Sequence, residues 1–198
     1  MVRALDDGLT DGGAEQRLKV PPNSIEAEQA LIGGLMLNAR AWDKIADVVS
    51  AGDFYRKDHR LIFQAIDRLI DDGSPCDVVT VSEHLDNRGE LEPAGGLEYL
   101  AMLANETAGA ANARAYAKIL RERSMLRSLI NAGNEIAGSA FATDGRSASQ
   151  VLDDAERMVF EIAEKGSRGR KGFKPLKEIL PDTVDRIDEL HPVSYTHL

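Results

Sequence analysis

Apolar residues recur at steps of three and four through most of this chain, which is the spacing of one face of an α-helix. The first such segment follows Pro21 and Pro22, where a helix cannot extend backwards, and Asn23 or Ser24 can cap its free N–H groups. Asn38 can end it. The segment is therefore predicted to be a helix whose apolar stripe comprises Ile25, Leu31, Ile32 and Leu35.

Two adjacent glycines, Gly33 and Gly34, lie inside this predicted helix. Each costs about 1 kcal/mol relative to alanine in a helix interior. We therefore expect another helix to pack closely against the backbone at these two positions.

Four further short helices are predicted before residue 110. The pattern places them at about residues 42–49, at about residues 57–70, from Thr80 to near Gly89, and after Gly95 and Gly96 to about residue 105. The third is predicted to begin at Thr80 because Thr80 and Glu83 have the T-x-x-E spacing of a capping box. No segment with the alternating pattern of a β-strand is long enough to rival these helices. The sequence therefore predicts an all-α fold with a compact helical head.

Two longer helices follow, at about residues 112–141 and 148–164. The turn between them contains Asp144-Gly145, and Ser147 with Gln150 has the spacing of a second capping box. Long helices joined by a short polar turn are typical of an antiparallel hairpin. The predicted seam of this hairpin alternates steps of three and four, and it comprises Tyr116, Ile119, Leu120, Leu126, Ile130, Gly133, Ala137 and Ala140 on the first helix and Leu152, Ala155, Val159 and Ile162 on the second.

The hairpin also carries a second apolar flank that its own partner helix cannot cover. Exposed apolar surface of this kind often marks an interface, although the flank could instead pack back on the head. The candidate residues for an interface between copies of the chain are Tyr116, Leu129, Ile136, Met158 and Phe160.

The sequence also predicts how these elements are divided along the chain. We expect a disordered tail at 1–19, the helical head at 20–110, the hairpin at 111–165, a basic flexible linker at 166–174, a linker helix at 175–190 and a non-native tail at 191–198. Pro181 lies inside the linker helix, where proline costs about 3 kcal/mol, so that helix is expected to kink or to need a partner.

Composition narrows the class of protein. The chain has 198 residues, a net charge of −9 and a single cysteine, Cys76, which excludes an internal disulfide and fits a reducing cytoplasm. Without a signal peptide or a long apolar run, the sequence predicts a cytoplasmic protein that makes no membrane contact.

An acidic surface repels phosphate backbones. An alternative function, nucleic-acid binding, therefore depends on the basic linker residues Arg168, Arg170, Lys171 and Lys174.

Motifs for chemistry are not found in the sequence. The stretch GSRGRKGF has Lys171 where a phosphate loop needs its second glycine, and the four histidines lack the spacing of metal ligands. No G-x-S-x-G elbow is present either. We therefore expect no cofactor, metal or catalytic residue, and an all-helical enzyme using buried carboxylates is the least favoured alternative.

Six motifs, in this order and spacing, resemble the N-terminal domain of the bacterial replicative DNA helicase, DnaB: SIEAEQALIGGLML, DFYRKDHRLIFQAI, DVVTVSEHL, GGLEYLAML, YAKILRERSMLRSLI and VLDDAERMVFEIAE. The resemblance covers about residues 20–190. That family continues into a RecA-like ATPase domain that these 198 residues do not contain, so the resemblance implies that ATP, Mg and helicase activity belong to the parent protein. Pro181 departs from the continuous linker helix of the family.

The resemblance implies an assembly and docking module. In the family, hairpins pair into dimers and three dimers form a collar on a hexameric ring, which contacts DNA through the hexamer and receives primase and, in some bacteria, a helicase loader. The primase-docking positions of the family fall here on Glu26, Tyr99, Ile130 and Ile136.

Overall fold

The structure is a computed structural model that describes residues 20–107 and 109–167. Within these residues the regular elements are all helices, which confirms the predicted all-α class. The six α-helices are α1 (Ile25–Leu37), α2 (Lys57–Asp71), α3 (Val78–Asp86), α4 (Gly96–Glu106), α5 (Ala113–Phe141) and α6 (Ala148–Ser167), with short 3-10 helices at Ala39–Lys44, Ala51–Asp53 and Ala110–Asn112.

Helix α1 lies at the centre of the head and contacts α2, α4 and α5. Of its predicted apolar stripe, Leu31, Ile32 and Leu35 are fully buried and Ile25 is half-buried, and the three buried side chains meet Phe54, Phe63 and the apolar faces of α2 to α4 in one core. The first two turns of α5 complete this core by burying Ala113, Ala117 and Leu120. The hairpin is therefore anchored in the head by the base of α5.

The two glycines of α1 are needed because other backbone passes directly over them. A Cβ atom at Gly33 would lie 2.1 Å from the carbonyl oxygen of Leu103 in α4, and one at Gly34 would lie 3.2 Å from Cα of Ala110. The close approach predicted from the sequence is confirmed, because a methyl group cannot fit at 2.1 Å from a carbonyl oxygen.

Two of the predicted helices differ from the structure. The segment predicted as a helix over 42–49 is instead a 3-10 helix at Ala39–Lys44 followed by turns, since Ile45 leaves the helical region with φ −128°. Helix α3 begins one turn earlier than predicted, because the Asp77 side chain accepts a hydrogen bond from the Thr80 N–H at 2.9 Å and caps the helix there.

The hairpin turn follows its prediction. Asp144 and Gly145 adopt positive φ angles of 48° and 81°, and α6 begins with the predicted capping box. In this box the Ser147 N–H donates to the Gln150 side chain at 2.8 Å, and the Gln150 N–H donates to the Ser147 hydroxyl at 3.3 Å. The chain therefore reverses between α5 and α6 through local bonds alone.

Candidate docking surfaces on the head and the hairpin

The face that α6 turns toward α5 differs from the predicted seam. The half-buried apolar side chains of α6 are Val151, Ala155, Met158 and Ile162, of which Ala155 and Ile162 belong to the predicted seam, whereas Leu152 and Val159 of that seam are exposed. Helix α5 shows the same shift, because the predicted seam residues Leu126 and Ile130 are exposed, and half-buried Met125 lies close to Gly166 of α6. The predicted seam is therefore wrong in part: Leu120, Ala155 and Ile162 are buried or half-buried, but Leu126, Ile130, Leu152 and Val159 are exposed. Steps of three and four describe two neighbouring stripes on each helix, and the small residues Ser128 and Ala132 on the inner stripe let α6 approach.

The consequence is a large apolar surface on the outside of the hairpin. On α6, Leu152, Val159 and Phe160 are exposed to 59%, 49% and 69%, and we call these three residues the hairpin patch. Ala155, Val159, Phe160 and Ala163 also line a shallow and almost wholly apolar depression. Helix α5 adds its own exposed residues, which are Ile119, Leu126, Leu129, Ile130 and Phe141. Contiguous apolar surface of this kind typically marks an interaction site.

The five interface candidates predicted from the sequence fall into three groups. Leu129 and Phe160 are exposed. Ile136 and Met158 are half-buried, on the inner side of the hairpin. Tyr116 is half-buried and its ring packs against the core of the head, which agrees with the alternative that this part of the flank packs back on the head.

The docking candidates on the head lie near a small groove between α1 and α4. Glu26 and Gln29 of α1 line this groove together with Ala30, Leu103, Glu106 and Thr107. The Gln29 side-chain amide donates to the Tyr99 hydroxyl at 3.4 Å, which connects Tyr99 to the same surface. Ile130 lines a different depression, beside Tyr55 and Arg127, so the structure does not place it in this groove.

Behind Tyr99 is a buried polar chain that sequence reasoning missed. The His59 ring is fully buried, with Nδ1 at 2.6 Å from Oε2 of Glu28 and Nε2 at 2.7 Å from the Tyr99 hydroxyl. Glu28 is fully buried as well, although it lies in the first turn of α1, where a carboxylate also interacts favourably with the helix dipole. One signal was available in the sequence, because His59 lies three, four and seven positions before Ile62, Phe63 and Ile66 and so shares their buried helix face.

Arginine side chains join the hairpin to the head and pack over the tyrosines. Arg121 of α5 pairs with buried Asp53 at 3.0 Å, and Arg127 donates to the carbonyl oxygens of Pro22 at 2.8 Å and Asp53 at 2.5 Å. Burial lowers the pKa of Arg127. On the head, a hydrogen bond to the Asp58 carboxylate raises the pKa of Arg56. The Arg56 guanidinium lies 5.8 Å from the centre of the Tyr99 ring.

Other predicted features can be placed only in part. Burial raises the pKa of the Cys76 thiol to about 11, as expected for a structural cysteine. Within 20–107 and 109–167, no group of three metal-ligating side chains comes together, and no helix has the length and apolar character needed to cross a bilayer. The tail 1–19, the linker helix 175–190, the tail 191–198 and the basic residues Arg168, Arg170, Lys171 and Lys174 lie outside the described residues.

Comparisons with known proteins agree with these features. Residues 20–122 match the family model described as the DnaB-like helicase N-terminal domain. The replicative DNA helicase DnaB of Haemophilus influenzae is 44% identical over 174 residues, which are 88% of this chain and 37% of that protein. DnaB of Geobacillus stearothermophilus is 39% identical over 173 residues, again covering 87% of this chain and 37% of that protein. The chain therefore spans little more than a third of the length of these curated relatives.

Solved structures give the same result. The crystal structure of the N-terminal domain of DnaB helicase from Mycobacterium tuberculosis is 36% identical, with a TM-score of 0.70, and the match covers 72% of this chain and 99% of that one. A structure of a DnaB-like replicative helicase and its interactions with primase matches 84% of this chain and 36% of that one, with a TM-score of 0.62. At 19% identity, this second match shows the shared fold alone.

Proposed function

This chain belongs to the family of DnaB-like helicase N-terminal domains, and we propose that it acts as the assembly and docking module of a hexameric replicative helicase. The observation that carries the proposal is the hairpin patch, which no residue of the described chain covers. In this proposal the parent protein unwinds DNA with ATP and Mg in the cytoplasm, through an ATPase domain that lies outside these 198 residues.

Assembly is proposed to occur through the hairpins. The hairpin patch lies on one side of α6, and apolar residues of α5 are also exposed. A second copy can cover them by a two-fold contact in which each hairpin offers the same surface, as in most homodimers. A stable contact of this kind buries more than about 1,000 Å². Three such dimers would build the collar of the hexamer.

Docking of primase is proposed to use both parts of the molecule. Glu26 and Tyr99 lie on or beside the α1–α4 groove of the head, whereas Ile130 and Ile136 lie on the hairpin. Because the structure does not bring these two pairs to one surface within a subunit, we propose that the hairpin residues come from a neighbouring subunit. The structural relative described with primase supports this partner. A helicase loader is a second proposed protein ligand of the collar.

Sedimentation equilibrium over a range of concentrations tests the assembly. Phe160→Asp places a charge in the hairpin patch without entering the hairpin seam, which Ile136→Asp or Met158→Asp would disturb. We expect the wild type to associate and Phe160→Asp to be a monomer with unchanged helicity. Glu161→Lys, on the polar side of α6, is the matched control and should associate normally. An average mass for Phe160→Asp equal to that of the wild type would contradict the proposal.

Calorimetric titration with the isolated primase C-terminal domain tests docking. An aromatic anchor costs about 2 kcal/mol or more when truncated to alanine, which is about a thirtyfold loss of affinity. Tyr99→Ala should therefore weaken binding by about this factor while the oligomer persists. Wild-type affinity in a folded Tyr99→Ala variant would place the docking surface elsewhere.

A further inference from the structure

A chain of buried hydrogen bonds runs from Glu28 through His59 to Tyr99. When the His59 imidazole is neutral, only one assignment of donors and acceptors fits this chain. Glu28 accepts from the Tyr55 N–H at 2.5 Å on Oε1, and from the Arg56 N–H at 3.3 Å and the His59 ring on Oε2. A carboxylate that faces three nitrogen atoms in this way serves as an acceptor throughout. Nδ1 of His59 therefore carries the ring proton.

The position of that proton decides what the Tyr99 hydroxyl can offer. With the proton on Nδ1, the neutral ring has an unprotonated Nε2, and the Tyr99 O–H must donate to it across 2.7 Å. Since Gln29 donates to the same hydroxyl oxygen, Tyr99 uses its proton inside the head and keeps only acceptor capacity for other contacts. The Tyr99 ring lies parallel to the His59 ring, with the centroids 6.0 Å apart, so the hydrogen bond joins two rings of the same orientation.

From this arrangement we infer that Glu28 and His59 are positioning residues, which hold the Tyr99 hydroxyl as a hydrogen-bond acceptor for a donor group on the docking partner. The inference rests on the proposed docking role of Tyr99 and extends it by naming the chemistry of the contact. Glu26 and Glu106 line the adjacent groove and form no ion pair within the described residues, so a positively charged donor, lysine or arginine, is favoured. Preorganisation of this kind strengthens binding because less ordering is left to occur on association.

Glu28→Gln tests the inference because it reverses the donor and acceptor roles along these hydrogen bonds and keeps the shape of the side chain. The backbone N–H of Tyr55 needs an acceptor at 2.5 Å, which fixes the amide oxygen of the glutamine there and turns its NH₂ group toward His59. Nδ1 must then accept, so the ring proton moves to Nε2 and points at the Tyr99 oxygen. The Tyr99 hydroxyl proton is then displaced outward, where it faces the donor group of the partner and prevents the hydrogen bond between them. Glu28 is fully buried and cannot touch a partner, and of the groups that it bonds, which are the backbone N–H groups of Tyr55 and Arg56 and the His59 ring, the His59 ring is the one bonded to the Tyr99 hydroxyl.

Two measurements on the full chain follow from this reasoning. ¹⁵N NMR of the histidine side chains at pH 8, with His59 assigned through the spectrum of His59→Asn, should show the proton on Nδ1 in the wild type and on Nε2 in Glu28→Gln. Titration with the primase C-terminal domain should show about a tenfold loss of affinity for Glu28→Gln. Asp53→Asn is the matched control, since it also alters a buried carboxylate that accepts backbone and arginine bonds, and it should bind normally.

Each outcome decides the inference. A wild-type His59 that is protonated on Nε2 overturns it, as does Glu28→Gln with a shifted proton and unchanged affinity. If Glu28→Gln fails to fold, Tyr99→Phe replaces it, because removal of the hydroxyl alone should weaken binding about as much, and full affinity in that variant overturns the inference. Unchanged affinity in Tyr99→Ala would instead overturn the docking role itself, while the NMR result would still report the proton on His59.

Discussion

Gly33→Ala adds one methyl group at the tightest contact between two helices of the head. Its Cβ would lie 2.1 Å from the Leu103 carbonyl oxygen, 2.8 Å from the Leu103 carbonyl carbon and 3.1 Å from Cβ of Thr107. The first two atoms are backbone of α4 and cannot rotate away, so α1 and α4 must separate. Overpacking of a core costs about 1–3 kcal/mol, and a rigid obstacle at this distance belongs at the upper end.

Alanine also favours the helix over glycine by about 1 kcal/mol, and this gain opposes the clash. We therefore expect Gly33→Ala to lower the free energy of unfolding by about 2 kcal/mol. Separation of the helices should also weaken the bond from the Thr107 hydroxyl to the Ala30 carbonyl oxygen, which is 3.2 Å long.

Urea denaturation followed by circular dichroism measures this change, at one protein concentration because self-association shifts apparent stability. Gly138→Ala is the matched control. It is the same substitution within α5, where a Cβ would meet nothing within 4 Å, so it should stabilise by about 0.5–1 kcal/mol. A Gly33→Ala variant as stable as the wild type would refute the reasoning, because the clash would then be absorbed without cost.

Three further predictions concern single sites. Asp77→Ala should cost about 1 kcal/mol through loss of the α3 cap. The hydrogen bond from the Thr80 N–H lowers the pKa of the Asp77 carboxyl, so its stabilisation is present near neutral pH and should disappear as the pH falls below about 4. Cys76, with its buried thiol, should react with Ellman's reagent at pH 8 only after denaturation in urea. ATP should show no saturable binding to the 198-residue chain in a titration at micromolar protein, since the sequence has no phosphate loop.

Local signals in the sequence predicted those parts of the fold that short-range bonds determine. The Ser147–Gln150 box and the turn at Asp144 and Gly145 each follow from residues a few positions apart, and the adjacent glycines of α1 indicated a close approach, although the backbone that approaches Gly33 is that of distant Leu103. The start of α3 shows the limit of such signals. Asp77–Thr80 and Thr80–Glu83 have the same capping-box spacing, and only the folded backbone shows that the first pair is used.

Long-range contacts account for what could not be predicted. Both stripes of α5 have helical spacing, and the choice between them depends on where α6 packs. The chain through His59 joins residues that are 31 and 40 positions away, so neither Glu28 nor Tyr99 could be paired with it from periodicity alone. Tyr99 itself was identified through the family resemblance, and its hydrogen-bond partners came only from the structure.

The most direct test of the central claim, that docking requires the assembled form, is a titration of the primase C-terminal domain into wild type and into monomeric Phe160→Asp. The hairpin patch is remote in sequence from Glu26 and Tyr99, and the head of the variant keeps its buried core. If the docking surface combines one head with a neighbouring hairpin, the monomer should lose at least tenfold in affinity, about 1.4 kcal/mol. Equal affinity, with one primase domain bound to each monomeric chain, would contradict the account.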